Sequence, residues 1–136
     1  MSAQKGKDLL LKIDSGGGFV TVAGLRSRRI AFNSQTVDIT DADSSGRWRE
    51  LLAGAGVQRA AISGSGIFKD AASDEAIRAR FFGGETGGFQ MAVPDFGVVQ
   101  GDFQVTALEY TGAHDGEISF EIALESAGPV SFTATP

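Results

Sequence analysis

The sequence of 136 residues contains no cysteine, one histidine and three prolines. Without cysteine there can be no disulfide, no thiolate nucleophile and no cysteine metal site. No stretch is apolar enough to cross a bilayer, and the run of three leucines in MSAQKGKDLLLKI is too short for a signal peptide. These absences predict a protein that is synthesised in the cytoplasm, does not insert into a membrane and binds no cofactor.

Catalytic patterns are missing as well. The one histidine, His114, lies in the turn TGAHDG beside Asp115, and no nucleophile motif such as GxSxG accompanies the pair. The glycine triplets GGG, GAG and GSG lack the GK[ST] continuation of a phosphate-binding loop. The sequence therefore predicts no enzyme and no catalytic residue.

One segment partly matches a calcium-binding loop. Asp41, Asp43, Ser45 and Gly46 occupy positions 1, 3, 5 and 6 of an EF-hand-like loop, but Leu52 stands at position 12, where a bidentate glutamate is needed. A turn stabilised by local side-chain hydrogen bonds explains the same residues. We therefore predict no metal site.

The charges are unevenly distributed along the chain. No lysine or arginine follows Arg80, whereas eight acidic residues do, and the net charge of −5 argues against a basic nucleic-acid-binding surface. Two interpretations remain open: solvated faces that differ by chance, or two surfaces of opposite sign that meet between copies of the chain. A contact of the second kind is heterologous and produces rings or filaments.

Strand patterns dominate what is present. The 19 glycines indicate many turns, and the short alternating segments include GFVTVAG, RIAFNSQTVDIT, VQRAAISGSGIF and GFQMAV, with PVSFTATP as a possible last strand. The clearest pair is GDFQVTALEY and GEISFEIALE, which the turn TGAHDG joins. In its second member Ile118, Phe120, Ile122 and Leu124 alternate with an acidic, water-facing set that includes Glu117, Glu121 and Glu125.

One segment, SDEAIRARFFGG, predicts a short helix over residues 73–82. Ser73 stands at the N-cap position, Asp74 and Glu75 fall in the first turn, and two glycines supply the C-terminal stop. The predicted fold class is mainly β (α+β): an antiparallel β-sandwich or partial barrel with one short α-helix, forming a single domain over residues 1–136.

The only tryptophan lies in the segment DSSGRWRELLAGAG, within a connection over residues 40–56 that is longer than a hairpin needs. In one interpretation Trp48, Leu51 and Leu52 fold back onto the core of their own domain. In the other they face outward, since tryptophan and arginine are enriched at the centres of protein interfaces. The residues alone do not decide between the two.

Four segments in a fixed order carry a resemblance: GRWRELLAGAG, AAISGSGIFKD, SDEAIRARFFGG and LEYTGAHDGEISFEIAL. Together they resemble the major tail tube proteins of long, non-contractile phage tails, in particular those of gene transfer agents, which are phage-like particles that package host DNA. The resemblance covers most of the chain, from about TVAGLRS to SAGPVSF.

The resemblance implies a β-sandwich-like subunit that forms hexameric rings, which stack into a tube that DNA crosses without specific binding. It implies virion tail localisation after assembly in the host cytoplasm, with tail terminator, distal tail or baseplate, and tape-measure proteins as partners. Carried onto this chain, the inter-subunit loop holds Arg47, Trp48, Arg49, Glu50 and Leu51. We expect Glu117, Glu121 and Glu125 to line the lumen, because an acidic wall repels phosphates.

Two other functions fit the sequence less well. One is the tube protein of a contractile injection or secretion apparatus, which shares the ring-forming fold but passes protein. The other is a glycan-binding β-sandwich module with Trp48 and Tyr110 as stacking platforms, although such a module needs more aromatic residues than one tryptophan and one tyrosine.

Overall fold

A computed structural model of the chain describes residues 9–16, 18–41, 46, 48–54, 56–112 and 114–134. Its elements are seven strands and one helix: β1 (Leu10–Asp14), β2 (Phe19–Thr21), β3 (Leu25–Ser34), β4 (Gln58–Ile67), α1 (Ala72–Gly83), β5 (Gly87–Val93), β6 (Gly97–Gly112) and β7 (Ile118–Ala134). Within these described parts of the chain, the helix is too short and too polar to cross a membrane.

All seven strands belong to one antiparallel sheet with the order β2-β1-β5-β6-β7-β4-β3. Its centre is the hairpin of β6 and β7, which are 16 and 17 residues long. The first half of β6 pairs with β5, whereas the first half of β7 pairs with β4. Two register shifts, between Gly101 and Phe103 and between Val105 and Ala107, interrupt the hairpin, and bulges of this kind bend a strand.

The sheet curls until its two ends meet. Arg28 on the edge strand β3 donates a hydrogen bond from Nε to the backbone carbonyl of Leu9, just before β1. The backbone N–H of Val22 donates to the carbonyl of Leu11 at 2.8 Å and extends the β1–β2 ladder. The Arg28 contact brings β3 beside the start of β1, which confirms the predicted partial barrel with one short helix.

The concave side of the curled sheet holds the hydrophobic core. Phe89 on β5 and Phe103 on β6 pack edge to face, with ring centroids 6.2 Å apart, and each is at most 1% exposed. The remaining buried apolar residues come from every part of the fold: Leu11, Ile13, Val22, Ala60, Ile62, Ile77, Met91, Val99, Val105, Phe120, Ile122 and Leu124. The alternation predicted for β7 is therefore correct for Phe120, Ile122 and Leu124, whereas Ile118, at the strand end, is 48% exposed.

The helix forms where it was predicted, but its N-terminus differs. The N-cap is Ala71, whose N–H donates to the Asp74 carboxylate at 3.0 Å. Ser73 is buried instead, and its Oγ accepts a hydrogen bond from the N–H of Ala23 at 3.0 Å, so the predicted N-cap was wrong. At the other end Gly84 adopts the left-handed conformation, with φ of 64°, that terminates helices.

The segment PVSFTATP does not form a separate final strand. Its residues up to Ala134 continue β7 past Pro129. A proline lacks the N–H that a sheet ladder needs, so it is tolerated where one side of a strand is unpaired. Beyond Glu125, β7 pairs only with β6 among the described strands, which leaves that side open.

Candidate assembly surfaces

Residues 35–57, which we term the arm, join β3 to β4, and within the described residues the chain at 35–39 pairs with the returning chain at 50–57 as a two-stranded ribbon. The N–H of Gln35 donates to the carbonyl of Val57 at 2.7 Å, and that of Leu52 donates to Val37 at 2.8 Å. Farther out, Asp38 and Leu51 form an antiparallel bridge. The connection is therefore longer than the predicted residues 40–56, because β3 already ends at Ser34.

A small polar network holds the outer part of the arm. The N–H of Thr40 donates to the Asp38 carboxylate at 2.8 Å, and the N–H of Glu50 donates to the Thr40 hydroxyl oxygen at 2.6 Å. The hydrogen bonds that Asp38 accepts from Thr40 lower the pKa of its carboxyl below the usual value, and the nearby charge of Arg49 acts in the same direction. The ionised Asp38 therefore favours the closed ribbon.

Close backbone contact fixes the base of the arm. A Cβ atom at Gly56 would lie 1.4 Å from the carbonyl oxygen of Gln35, so no other residue fits there without displacing the backbone. This position, rather than conformational flexibility, explains one of the glycines of the segment LAGAG.

The arm carries apolar side chains into solvent. Trp48 is 78% exposed, which places it outside the core of its own chain. Arg49, Glu50 and Leu51 are exposed beside it, whereas Arg47 and the calcium-loop positions Asp43 and Ser45 lie outside the described residues. The exposed large apolar residues of the arm are Val37, Ile39, Trp48, Leu51, Leu52 and Val57.

The solvent-facing side of β3, β4, β7 and β6 is polar. Glu109 pairs with Glu121 across the β6–β7 hairpin, and Glu125 lies on the same side of β7 as Glu121. We term these three residues, Glu109, Glu121 and Glu125, the acidic face. Small side chains stand between them, Ser63 and Ser65 on β4, Ala107 on β6 and Ala123 on β7, and Gln104 on β6 pairs with Glu125.

Two of the three residues predicted to line the lumen lie on this surface, and one does not. Glu121 and Glu125 lie on it and are exposed, whereas Glu117 precedes β7 and lies outside the ladder. The sequence analysis missed Glu109, although its position in the alternation of GDFQVTALEY was readable. Basic side chains lie toward the β3 edge, where Arg29 pairs with Ser63 and Asn33 with Arg59. The charge separation seen along the sequence thus becomes a separation across the sheet.

The only histidine lies at the surface. His114 and Asp115 are 3.9 Å apart, and their side chains are 99% and 97% exposed in the turn between β6 and β7.

A curled antiparallel sheet with an apolar arm and segregated charges is typical of a subunit that contacts other copies of itself. A family model described as phage tail tube protein matches residues 3–132. The chain therefore belongs to the phage tail tube protein family, which is a family of structural proteins, and the resemblance found in the sequence is confirmed.

Solved structures agree with this assignment. A chain from the tail of an empty gene transfer agent particle, determined by helical refinement with C6 symmetry, is 57% identical, with a TM-score of 0.93 over 97% of this chain and 100% of that one. A chain from the virion of a native gene transfer agent is also 57% identical, with a TM-score of 0.92 and the same coverage.

A more distant structure shares the fold. The SPP1 tail tube, from solid-state NMR and cryo-EM, is 16% identical, with a TM-score of 0.75 over 96% of this chain and 79% of that one. A comparison with curated protein sequences found no match.

Proposed function

We propose that copies of this chain form rings of six that stack into the tail tube of a phage-like particle, and that DNA leaves the particle through the tube. The supporting observation is the 57% identical chain from a tail with C6 symmetry, which superimposes over nearly the whole length of this chain. The subunits assemble in the host cytoplasm and reside in the virion tail. Tail terminator, distal tail and tape-measure proteins are the expected partners at the tube ends and in its interior.

The arm provides the contact between copies. Its exposed Trp48 and Leu51 offer apolar area, and Arg49 and Glu50 flank them with both charges. Residues of this kind contribute most when they become fully desolvated at the centre of an interface. Such a contact joins two different surfaces, because the arm of one copy meets some other part of the next, and it therefore propagates.

The acidic face lines the lumen in this proposal. Glu121 and Glu125 form no ion pair with a described residue, and Glu109 bonds only to the hydroxyl of Thr111. Their charges, repeated in every copy around a ring, repel the phosphates of DNA in transit. The alanine and serine side chains between them are too short to bind a base of the DNA in transit.

Reversal of these charges tests the lumen assignment. With Glu109, Glu121 and Glu125 all changed to lysine, we expect tubes of normal appearance in negative-stain microscopy but a large loss of DNA delivery. Lysines would hold phosphates by an attraction that added salt weakens. Changing the same three residues to glutamine should give an intermediate loss.

A matched control separates position from net charge. The exposed residues Glu85, Asp95 and Glu117 lie off the acidic face, so their replacement by lysine makes the same change in total charge. Delivery should then stay near normal. Normal delivery by the first triple variant would show that the acidic face does not line the lumen.

The ring itself is tested by concentration. Purified protein should form rings or hollow tubes as its concentration rises, whereas a monomer at every concentration contradicts the proposal.

The glycan-binding alternative gains nothing from the structure, since Trp48 extends from the Gln58 end of β4 and Tyr110 lies near the Ile67 end. Two aromatic residues so placed cannot form one stacking platform.

A further inference from the structure

An apolar groove opens between α1 and the end of the β6–β7 hairpin, with a volume of about 280 Å³. Its floor is formed by Phe68, Tyr110 and Ile118, and the rings of Phe68 and Tyr110 pack edge to face at 5.6 Å. Phe82, on the last turn of α1, forms part of the rim and is 78% exposed. A groove with this much uncovered apolar surface is a candidate contact site.

The rim of this groove is acidic. Asp70, Asp74 and Glu75 line it, against a single cation, Arg78. Lys69 is directed away, since its Cγ lies beside Gly24. The groove therefore favours an apolar side chain that has a positive charge next to it.

The arm has that composition. Trp48 is the most exposed large apolar side chain of the arm, and Arg49 follows it directly in the sequence. Tryptophan offers a large apolar ring, and arginine pairs well with carboxylates. Neither residue belongs to the hydrophobic core of its own copy.

The arm and the groove lie at opposite ends of the same strand. The arm joins β4 at Gln58, whereas the groove begins at Phe68, just after Ile67. Ten residues of extended chain span about 33 Å, so one copy cannot fill its own groove with the tip of its arm unless the arm folds back along the sheet. The hydrogen bonds at the arm's base direct it away from β4 as a continuation of the β3–β4 ribbon.

We propose that Trp48 of one copy inserts into the Phe68–Tyr110–Ile118 groove of a second copy, with Arg49 facing Glu75 and Asp70. The inference rests on the proposed function and names the receiving surface for the arm. A contact between opposite ends of β4 repeats along the strand direction, so it links copies into a column instead of closing a pair.

The single tryptophan makes the contact directly measurable, because every change in indole emission reports on Trp48. On polymerisation of the full chain, the emission maximum should shift to shorter wavelength and quenching by acrylamide should fall severalfold. Phe82→Ala removes one wall of the groove and should abolish most of the shift at equal polymer mass. Phe96→Ala is the control, since Phe96 is 60% exposed but lies between β5 and β6 and does not line the groove.

Charge reversal tests the second half of the contact. Arg49→Glu and Glu75→Arg should each raise the concentration needed for polymerisation at least tenfold, and the double variant should recover most of that loss. Both residues are exposed in the monomer, so the variants fold normally, and circular dichroism verifies it.

The outcomes are distinguishable. Tubes with unchanged Trp48 emission, or a double variant no better than the worse single one, overturn the groove assignment but leave the tube function intact. Wild-type protein that forms no tubes overturns the proposed function and the groove assignment with it. A photoreactive residue in place of Trp48 that crosslinks to peptides other than those with Phe68, Tyr110 or Ile118 also overturns the assignment.

Discussion

Replacement of Trp48 by alanine separates the folding of the chain from its assembly. An aromatic side chain has about 150–250 Å² of surface to bury, and Trp48 leaves 78% of its surface exposed. Only about 45 Å² therefore contacts its own chain, which at about 25 cal/mol per Å² stabilises the fold by roughly 1 kcal/mol at most. The monomer should keep its fold, with a free energy of unfolding lowered by no more than that.

The effect on assembly should be much larger. If a neighbouring copy covers the remaining area, about 150 Å², the same coefficient gives up to about 4 kcal/mol, and tryptophans at interface centres contribute about 2–4 kcal/mol. Since about 1.4 kcal/mol corresponds to a factor of ten, the concentration needed for polymerisation should increase by a factor that lies between about 30 and several hundred.

Two measurements on the Trp48→Ala variant check these values: urea unfolding of the monomer and sedimentation of polymer over a range of concentrations. A loss of more than about 2 kcal/mol in the free energy of unfolding would mean that Trp48 packs into its own core. Unchanged polymerisation would refute the assignment of the arm as the contact between copies.

Two further predictions concern the arm. Gly56→Ala should force the Gln35 backbone away and open the base of the arm, lowering polymerisation while the sheet stays folded; Gly128→Ala, which meets no atom within 4 Å, is the control, and light scattering measures the difference. Because the pKa of Asp38 is lowered in the folded arm, its stabilisation is present above the usual value of 3.8 and is lost as the pH falls through the lowered one. The protection factor of the Thr40 amide, which compares its exchange rate with that of an unstructured peptide at the same pH, should therefore fall at low pH, and Asp38→Asn, which cannot ionise, should remove this pH dependence.

Much of the fold could be predicted because local pattern and tertiary structure agree. The β6–β7 hairpin has clear alternation in β7 and a turn rich in glycine, and it forms the centre of the sheet. The helix has acids in its first turn and glycine after its last, so its predicted residues 73–82 differ from the observed bounds, Ala72–Gly83, by one residue at each end.

The errors come from contacts between distant segments. Ser73 is a residue type that often caps helices, but its hydroxyl oxygen accepts a hydrogen bond from the N–H of Ala23, 50 residues away in the chain. The segment RIAFNSQTVDIT has two apolar pairs at period two, Ile30 with Phe32 and Val37 with Ile39, yet only its first half joins the sheet, because residues 35–39 pair with the returning chain of the arm, beyond β4. Alternation predicts an extended chain, and whether that chain is part of a sheet or of a free arm depends on neighbours the sequence does not specify.

The candidate site was only partly predictable for the same reason. The sequence singled out Trp48 as unusual but left its burial open, since an isolated aromatic residue suits a core or an interface equally. The groove joins Phe68, at the end of β4, to Tyr110 and Ile118 of the β6–β7 hairpin, which lies much later in the chain, and nothing in either segment indicates a shared surface.

The exposed apolar side chains are placed where contacts between copies of the chain would cover them. Among the described residues, 13 large apolar side chains are exposed, of which six lie on the arm and four around α1 and the groove: Phe81, Phe82, Tyr110 and Ile118. Exposed apolar residues scattered singly need no explanation, but two clusters at opposite ends of β4 do. Each cluster alone would invite aggregation; placed at opposite ends, each can cover the other in the next copy, and the β7 edge beyond Glu125 remains for contacts sideways. In the proposed assembly the sheet sets the spacing between copies, and the arm sets the direction in which they are added.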